Sequence, residues 1–337
     1  MRLNTPNLFN PSGNDSKYTR QLWRGNTTNI IQLNDTRYNW GVGLYKQMRE
    51  NFWIPEKVNL TQDSVDYNNL SKHEKKAYNG IISYLTFLDS IQVANLGNIR
   101  SPMTAPEITI CLSEQQSQES MHSQSYQTII EAVVPVEDRS TIYDFWRTDK
   151  VLSDRCKYIA ALYQKFVDTR SEEDYFVALL ANYLLEGLYF YTGFNFFISL
   201  AARSLMPGTA DMIKYVKRDE ITHIRIFQNI LPEAMKLFPY SVDQINQITQ
   251  EAVEQEITWN NHIIGDDILG LSPTANKEYI MYLADLRLKS IGLNSLFNQT
   301  KNPYHHLELA SDVGGEAHSK ANFFEATVTS YNQSSAI

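Results

Sequence analysis

Cysteine is scarce: the 337 residues contain two, Cys111 and Cys156, without the short spacing of a metal-binding pair. That argues against a disulfide framework and points to a reducing compartment. Gly (14) and Pro (11) are few and clustered, which leaves long segments free of helix breakers. No convincing run of alternating apolar and polar residues marks a strand. Lys/Arg-rich runs are absent and the formal net charge is −8, so there is no broad electrostatic footprint for nucleic acid. The most apolar stretch, near 194–202, is interrupted by Asn195 and Ser199. It falls far short of the roughly 20 residues that cross a bilayer. The opening MRLNTPNLFN lacks the apolar core of a signal peptide. No Gly-rich phosphate loop is present. These absences predict a cytoplasmic protein that engages neither nucleic acid nor membrane.

What is present is a helical pattern. Apolar residues make up 43% of the chain, enough to exclude a disordered one. They recur at three and four, which predicts helices over about 35–51, 71–97, 106–133, 137–146, 152–168, 171–205, 209–231, 242–264 and 274–296. Ser71 followed by Glu74 reads as a capping box. Ser171 followed by Glu172, Glu173 and Asp174 reads as a helix start, with acids at the positive end of the dipole. Pro207-Gly208 closes one segment and Thr209 caps the next. The expected organisation is all-α: an irregular arm over 1–35, a helical domain over 36–300 and a flexible tail over 301–337.

Two of the seven histidines sit in the same setting. Glu119-Ser-Met-His122 and Glu220-Ile-Thr-His223 are both Glu-x-x-His, in different long amphipathic segments. A spacing of three puts both side chains on one helix face. One such motif is an ordinary coincidence; two are the pattern of a two-metal carboxylate bundle, which also draws one acid from each of two further helices. Asp89, in Tyr84-Leu-Thr-Phe-Leu-Asp-Ser-Ile-Gln92, and Glu186, in Tyr183-Leu-Leu-Glu-Gly-Leu-Tyr-Phe190, are isolated charges among apolar neighbours. An unpaired buried carboxylate costs several kcal/mol or is neutralised, and a metal ion removes that cost. The candidate ligands are therefore Asp89, Glu119, His122, Glu186, Glu220 and His223. One imidazole per ion among oxygen ligands suits iron or manganese better than structural zinc.

The residues around these ligands narrow the class. Tyr126 follows His122 by one turn, Asp219 directly precedes Glu220, and Asn51-Phe-Trp-Ile-Pro-Glu56 precedes the first metal-bearing segment. Together with Leu88-Asp-Ser-Ile-Gln92, these resemble the small, radical-generating subunit of class I ribonucleotide reductase, from about Leu8-Phe-Asn-Pro11 to Tyr331. The resemblance implies a ferritin-like helical bundle with a dinuclear metal site, and a homodimer that works with a large catalytic subunit. It implies an oxidoreductase of ribonucleoside diphosphates, serving deoxyribonucleotide biosynthesis and DNA replication. Tyr126 matches the tyrosine oxidised to a stable radical, and Phe190, Phe194 and Val216 match its apolar pocket. Trp53, Asp219 and His122 match the chain from metal site to surface, and Tyr331 the tail tyrosine that hands the radical on. The metal pair is two Fe, two Mn or mixed Mn/Fe, with a flavoprotein activator left open. Gln118 and Gln124 flank the site, as tuning groups or as solvent-facing helix formers.

Only Asn-Gln-Ser-Ser-Ala-Ile follows Tyr331, where the family carries an acidic tail ending in Leu or an aromatic. Either the tail is truncated, and binds the large subunit weakly, or it docks differently. Two other readings of such a bundle are a stand-alone two-metal oxidase and an iron store. The first has no use for a Trp53–Asp219 relay or for Tyr331; the second does not need a shielded Tyr126.

Overall fold

A computed structural model describes residues 1–307. Eleven α-helices occupy them, α1 (Asn39–Glu50), α2 (Thr61–Asn69), α3 (Lys72–Arg100), α4 (Pro106–Val133), α5 (Val136–Thr148), α6 (Lys150–Thr169), α7 (Glu172–Leu184), α8 (Tyr191–Ala201), α9 (Pro207–Leu237), α10 (Val242–Ile263) and α11 (Pro273–Ser290). The only β contacts among these residues are two isolated bridges, Arg2 with Ser171 and Trp23 with Met103. The all-α ferritin-like expectation therefore holds. Antiparallel neighbours α3 and α4 form the most extensive pair. The pairs α7–α9 and α8–α9 build the facing layer, and α4 packs on α9 across the middle. No helix among the described residues is long and apolar enough to cross a membrane.

Local chemistry explains most boundaries. Ser71 accepts from the Glu74 amide at 3.2 Å while the Glu74 carboxylate accepts from the Ser71 amide at 2.8 Å, the reciprocal box that starts α3. Ser71→Ala is expected to lower stability by about 1 kcal/mol, read as a shift of the denaturation midpoint. Ser171 likewise accepts from the Asp174 amide at 3.1 Å. Pro106 opens α4 at its first turn, where a missing amide hydrogen is no loss.

Four boundaries differ from the sequence expectation, each through a non-local cause. The segment over 171–205 is not one helix: a π-helical turn, Leu185–Tyr189, separates α7 from α8. Helix α9 starts earlier than Thr209, because Asp63 of α2 accepts from the amides of Gly208 (2.9 Å) and Thr209 (2.6 Å). It also runs through Pro232 to Leu237. Burial of Leu231, Ala234 and the packed Met235 outweighs the roughly 3 kcal/mol that an internal proline costs. The end of α11 at Ser290, short of 296, follows from Asp285. Its carboxylate accepts from the amides of Leu296, Phe297 and Gln299 at 2.7–2.9 Å and folds the chain back.

The irregular N-terminal segment is pinned to the bundle. Trp23 is 2% exposed, donates from Nε1 to the Tyr175 hydroxyl at 2.9 Å and meets Phe238 edge-on. Arg20 and Glu107 form a buried ion pair at 2.9 Å.

Candidate metal centre

Six side chains converge where α3, α4, α9 and the π turn meet. Asp89 comes from α3, Glu119 and His122 from α4, Glu186 from the π turn, and Glu220 and His223 from α9. All six have no solvent exposure. They form two overlapping groups: Asp89, Glu119, His122 and Glu220; and Glu119, Glu186, Glu220 and His223. Within each, one potential ligand atom per residue lies within 4.8 Å of all the others. Glu119 and Glu220 belong to both, as two bridging carboxylates would.

The histidines show what the groups are built for. His122 Nε2 lies 3.4 Å from Asp219 Oδ2, which ties the outer nitrogen to an acceptor. Its Nδ1 then faces carboxylate oxygens of Glu220 (3.1 Å), Glu119 (3.5 Å) and Asp89 (3.8 Å). His223 repeats the arrangement. Nε2 donates to Gln118 Oε1 at 2.9 Å, while Nδ1 faces Glu220 (2.9 Å), Glu119 (3.1 Å) and Glu186 (3.7 Å). An imidazole whose outer N–H is so engaged turns a lone pair toward anionic oxygens. That contact is repulsive unless a cation, a proton or a metal ion, lies between them.

The carboxylates tell the same story. Both oxygens of Asp89, Oε2 of Glu119, Oε2 of Glu186 and Oε1 of Glu220 are buried without a hydrogen bond of normal geometry. Buried polar atoms are rarely left so, and two divalent ions would balance four carboxylates. Burial, then the Glu119 and Glu220 charges, push Asp89 and Glu186 well above the ordinary carboxylate range. Glu220 goes the other way: burial opposes its charge, but His223, Glu186 and His122 hold it below its usual value. Both histidines resist burial and are raised, His122 by Asp219, Glu119 and Glu220, His223 by Glu220 and Glu119. The donor set fits a dinuclear metal site.

Around Glu186 the outer contacts are neutral amides. Its Oε1 accepts from Gln115 at 2.7 Å, from Asn182 at 3.5 Å and, closely, from Gln92. Tyr163 in turn donates to Gln92 Oε1 at 2.8 Å. With Oε1 so occupied, Oε2 is the oxygen left for a metal. Gln92, Gln115 and Asn182 were not singled out as site residues in the sequence, because a buried amide leaves no charge anomaly. Gln118 is 3% exposed and also donates to the Met48 carbonyl at 3.3 Å, so it is the imidazole's partner and not a solvent-facing residue. Gln124 is exposed and pairs with Glu56.

Tyr126 is fully buried on α4. Burial, then the carboxylates of Asp89, Glu220 and Glu119, push its phenol well above its ordinary value. Phe190, Phe194 and Val216 are also fully buried, with Phe190 and Phe194 ring to ring at 5.9 Å. On the opposite flank Trp53 Nε1 donates to Asp219 Oδ2 at 2.9 Å. Asp219 Oδ2 thus joins Trp53 to His122, and Arg218 holds Oδ1 at 3.2 Å. The Trp53 ring lies against Tyr215 at 5.2 Å. A surface pocket of about 420 Å³, lined by Met48, Phe52, Trp53, Gln118, Met121 and Gln124 among others, opens beside it. Tyr331 lies outside the described residues.

A helical bundle that buries two Glu-x-x-His pairs and two further acids belongs, by fold and site, to the two-metal carboxylate proteins. Within that class the chain belongs to the family "Ribonucleotide reductase, small chain", whose pattern matches residues 30–303. It is 40% identical over 335 residues to the ribonucleoside-diphosphate reductase subunit beta of Treponema pallidum, covering 98% of this chain and 95% of that one. The ribonucleotide reductase R2 subunit from Clostridium botulinum superposes with a TM-score of 0.89 at 38% identity, covering 92% of this chain and 99% of that one. A dimanganese(II) NrdF from Streptococcus sanguinis shares the fold, with a TM-score of 0.72 at 20% identity over 84% of this chain and 98% of that one.

Proposed function

We propose that this chain is the radical-generating small subunit of a ribonucleoside-diphosphate reductase and works with a large catalytic subunit that holds the nucleotide. Family membership gives the class of reaction. The observation that carries the assignment to these residues is the pair of half-sites sharing Glu119 and Glu220, with inward oxygens that lack other partners. Asp89, Glu119, His122 and Glu220 would hold one ion, and Glu119, Glu186, Glu220 and His223 the other. Iron and manganese both suit this donor set, as two Fe, two Mn or one of each.

When bound, such a metal pair supplies one-electron oxidising power drawn from oxygen or a reduced oxygen species. Tyr126 would give up the electron, and its phenolic proton would pass toward the carboxylates beside it, Asp89 first among them. The buried Phe190, Phe194 and Val216 exclude water and reductants from the radical that remains. Asp219 accepts from Trp53 and from His122 through one oxygen. That arrangement orients the indole and lets a proton shift along the hydrogen bond when Trp53 changes oxidation state. Tyr331 is the proposed onward carrier to the large subunit. A second copy of this chain is the proposed homodimeric partner.

Equilibrium binding of Mn(II) to the metal-free protein tests the reading. Two ions per chain are expected. Glu119→Ala removes a carboxylate common to both half-sites, so its loss of affinity should exceed the roughly 10–100-fold that outer-shell changes cost. Glu119→Ala protein that still binds two ions as the parent does would overturn the ligand assignment. Deoxyribonucleotide formation in the absence of any large subunit would overturn the division of labour.

A further inference from the structure

The π turn that carries Glu186 is held by two buried arginines that belong to neither half-site. Arg287 of α11 donates from Nε to the Gly187 carbonyl at 3.0 Å. Arg155 of α6 donates from Nη2 to the Tyr189 carbonyl at 2.9 Å, and the Tyr84 hydroxyl reaches the same oxygen at 3.3 Å. Both arginines are 2% exposed. Arg155 is tied to Glu256 of α10, whose second oxygen accepts from Thr192 of α8 at 3.3 Å. Gly187 makes the approach possible. A Cβ there would lie 2.6 Å from Arg287 Nε and 2.9 Å from its Cδ.

A π turn disturbs the regular i to i−4 pairing of backbone groups, and such turns recur at functional sites. A buried carbonyl left unpaired costs about 1–3 kcal/mol. A guanidinium donor gives a charge-assisted bond, roughly twice as strong as a neutral one, but desolvating a guanidinium is itself costly. Two such groups on one five-residue turn are more than backbone satisfaction requires, since neutral donors would serve. What the turn carries is the only ligand of the second half-site that is neither in a Glu-x-x-His pair nor shared with the first.

We propose that Arg287 and Arg155 are positioning residues that lock the π turn before metal arrives and fix how far Glu186 Oε2 reaches into its half-site. This rests on the two-metal reading above. The amide contacts from Gln92, Gln115 and Asn182 set the rotation of the carboxylate; the arginines set the backbone from which it projects.

The test is Mn(II) binding to the full chain, counted by the electron paramagnetic resonance of free Mn(II). Arg287→Met and Gly187→Ala are expected to weaken the second ion by about 10–100-fold, the range for outer-shell changes, and to leave the first unchanged. Arg287→Lys, which keeps a cationic donor, should recover part of the loss. A general loss of stability would instead weaken both ions together. Folded Arg287→Met and Gly187→Ala proteins that bind both ions with the parent's affinities overturn the proposal. Should those variants fail to fold, hydrogen exchange on the unmodified metal-free chain decides. Amides over 185–193 are expected to be protected already, and exchange there that slows only after Mn(II) addition overturns the clamp. A parent that binds fewer than two ions contradicts the two-metal reading instead, and the exchange result then judges the clamp by itself.

Discussion

Tyr126→Phe should keep two metal ions and lose the organic radical. Tyr126 belongs to neither ligand group, so the donor set survives the substitution intact. The phenol lies beside Asp89, yet its hydroxyl makes no hydrogen bond of normal geometry. Removing it therefore leaves no orphaned partner behind, and the stability change should stay within about 1 kcal/mol. What disappears is the buried phenol beside Asp89, the group proposed to lose an electron and a proton. The measurement is low-temperature electron paramagnetic resonance after Fe(II) loading and admission of O₂. The parent should show an organic signal with tyrosyl hyperfine structure, and the variant should not. A tyrosyl signal that persists in Tyr126→Phe would place the radical on another tyrosine. A parent with bound iron and no organic signal would point to manganese, a different oxidant or an oxidising equivalent stored on the metals.

The parts of this site legible in the sequence are those with a local signature. Glu119-x-x-His122 and Glu220-x-x-His223 are visible because i,i+3 geometry is fixed by the helix itself. Asp89 and Glu186 are visible because a lone acid in an apolar helix demands a partner. Helix starts at Ser71 and Ser171 are visible because the cap and its target are three residues apart. The remainder depends on contacts between distant segments. The π turn at Leu185–Tyr189 leaves no mark in a periodicity that reads as one helix. Its support by Arg155 and Arg287 spans 34 and 100 residues respectively. Gln118 looks like any good helix former until the fold brings His223 to within 2.9 Å of it, 105 residues on. The start of α9 is set by Asp63, 145 residues earlier. Tyr331 was reached by resemblance to the family and lies outside the described residues.

Trp53→Phe should retain both the metals and the Tyr126 radical but abolish turnover with the large subunit. Trp53 is 2% exposed and contributes no metal ligand, so loading and radical formation do not require it. It is, however, the side chain that connects Asp219 and His122 to the surface pocket beside Phe52 and Met121. Phenylalanine fills most of the volume but cannot donate to Asp219, and its ring is much harder to oxidise than indole. The structural cost is modest, because Asp219 keeps Arg218 and His122 as partners. Loss of one hydrogen bond to a charged group costs about 1.5–3 kcal/mol, which a stable helical bundle of this size should tolerate. Asp219→Asn provides the companion result. The amide retains the shape but cannot take up a proton between the indole and the imidazole, so turnover should fall again while Mn(II) stoichiometry stays at two. Metal content, radical yield and deoxyribonucleotide formation measured on the same preparations separate the outcomes. Full turnover in Trp53→Phe would remove Trp53 from the path and leave its contact with Asp219 a matter of packing. Loss of the radical along with turnover would instead place Trp53 in the step that forms the radical, upstream of its transfer.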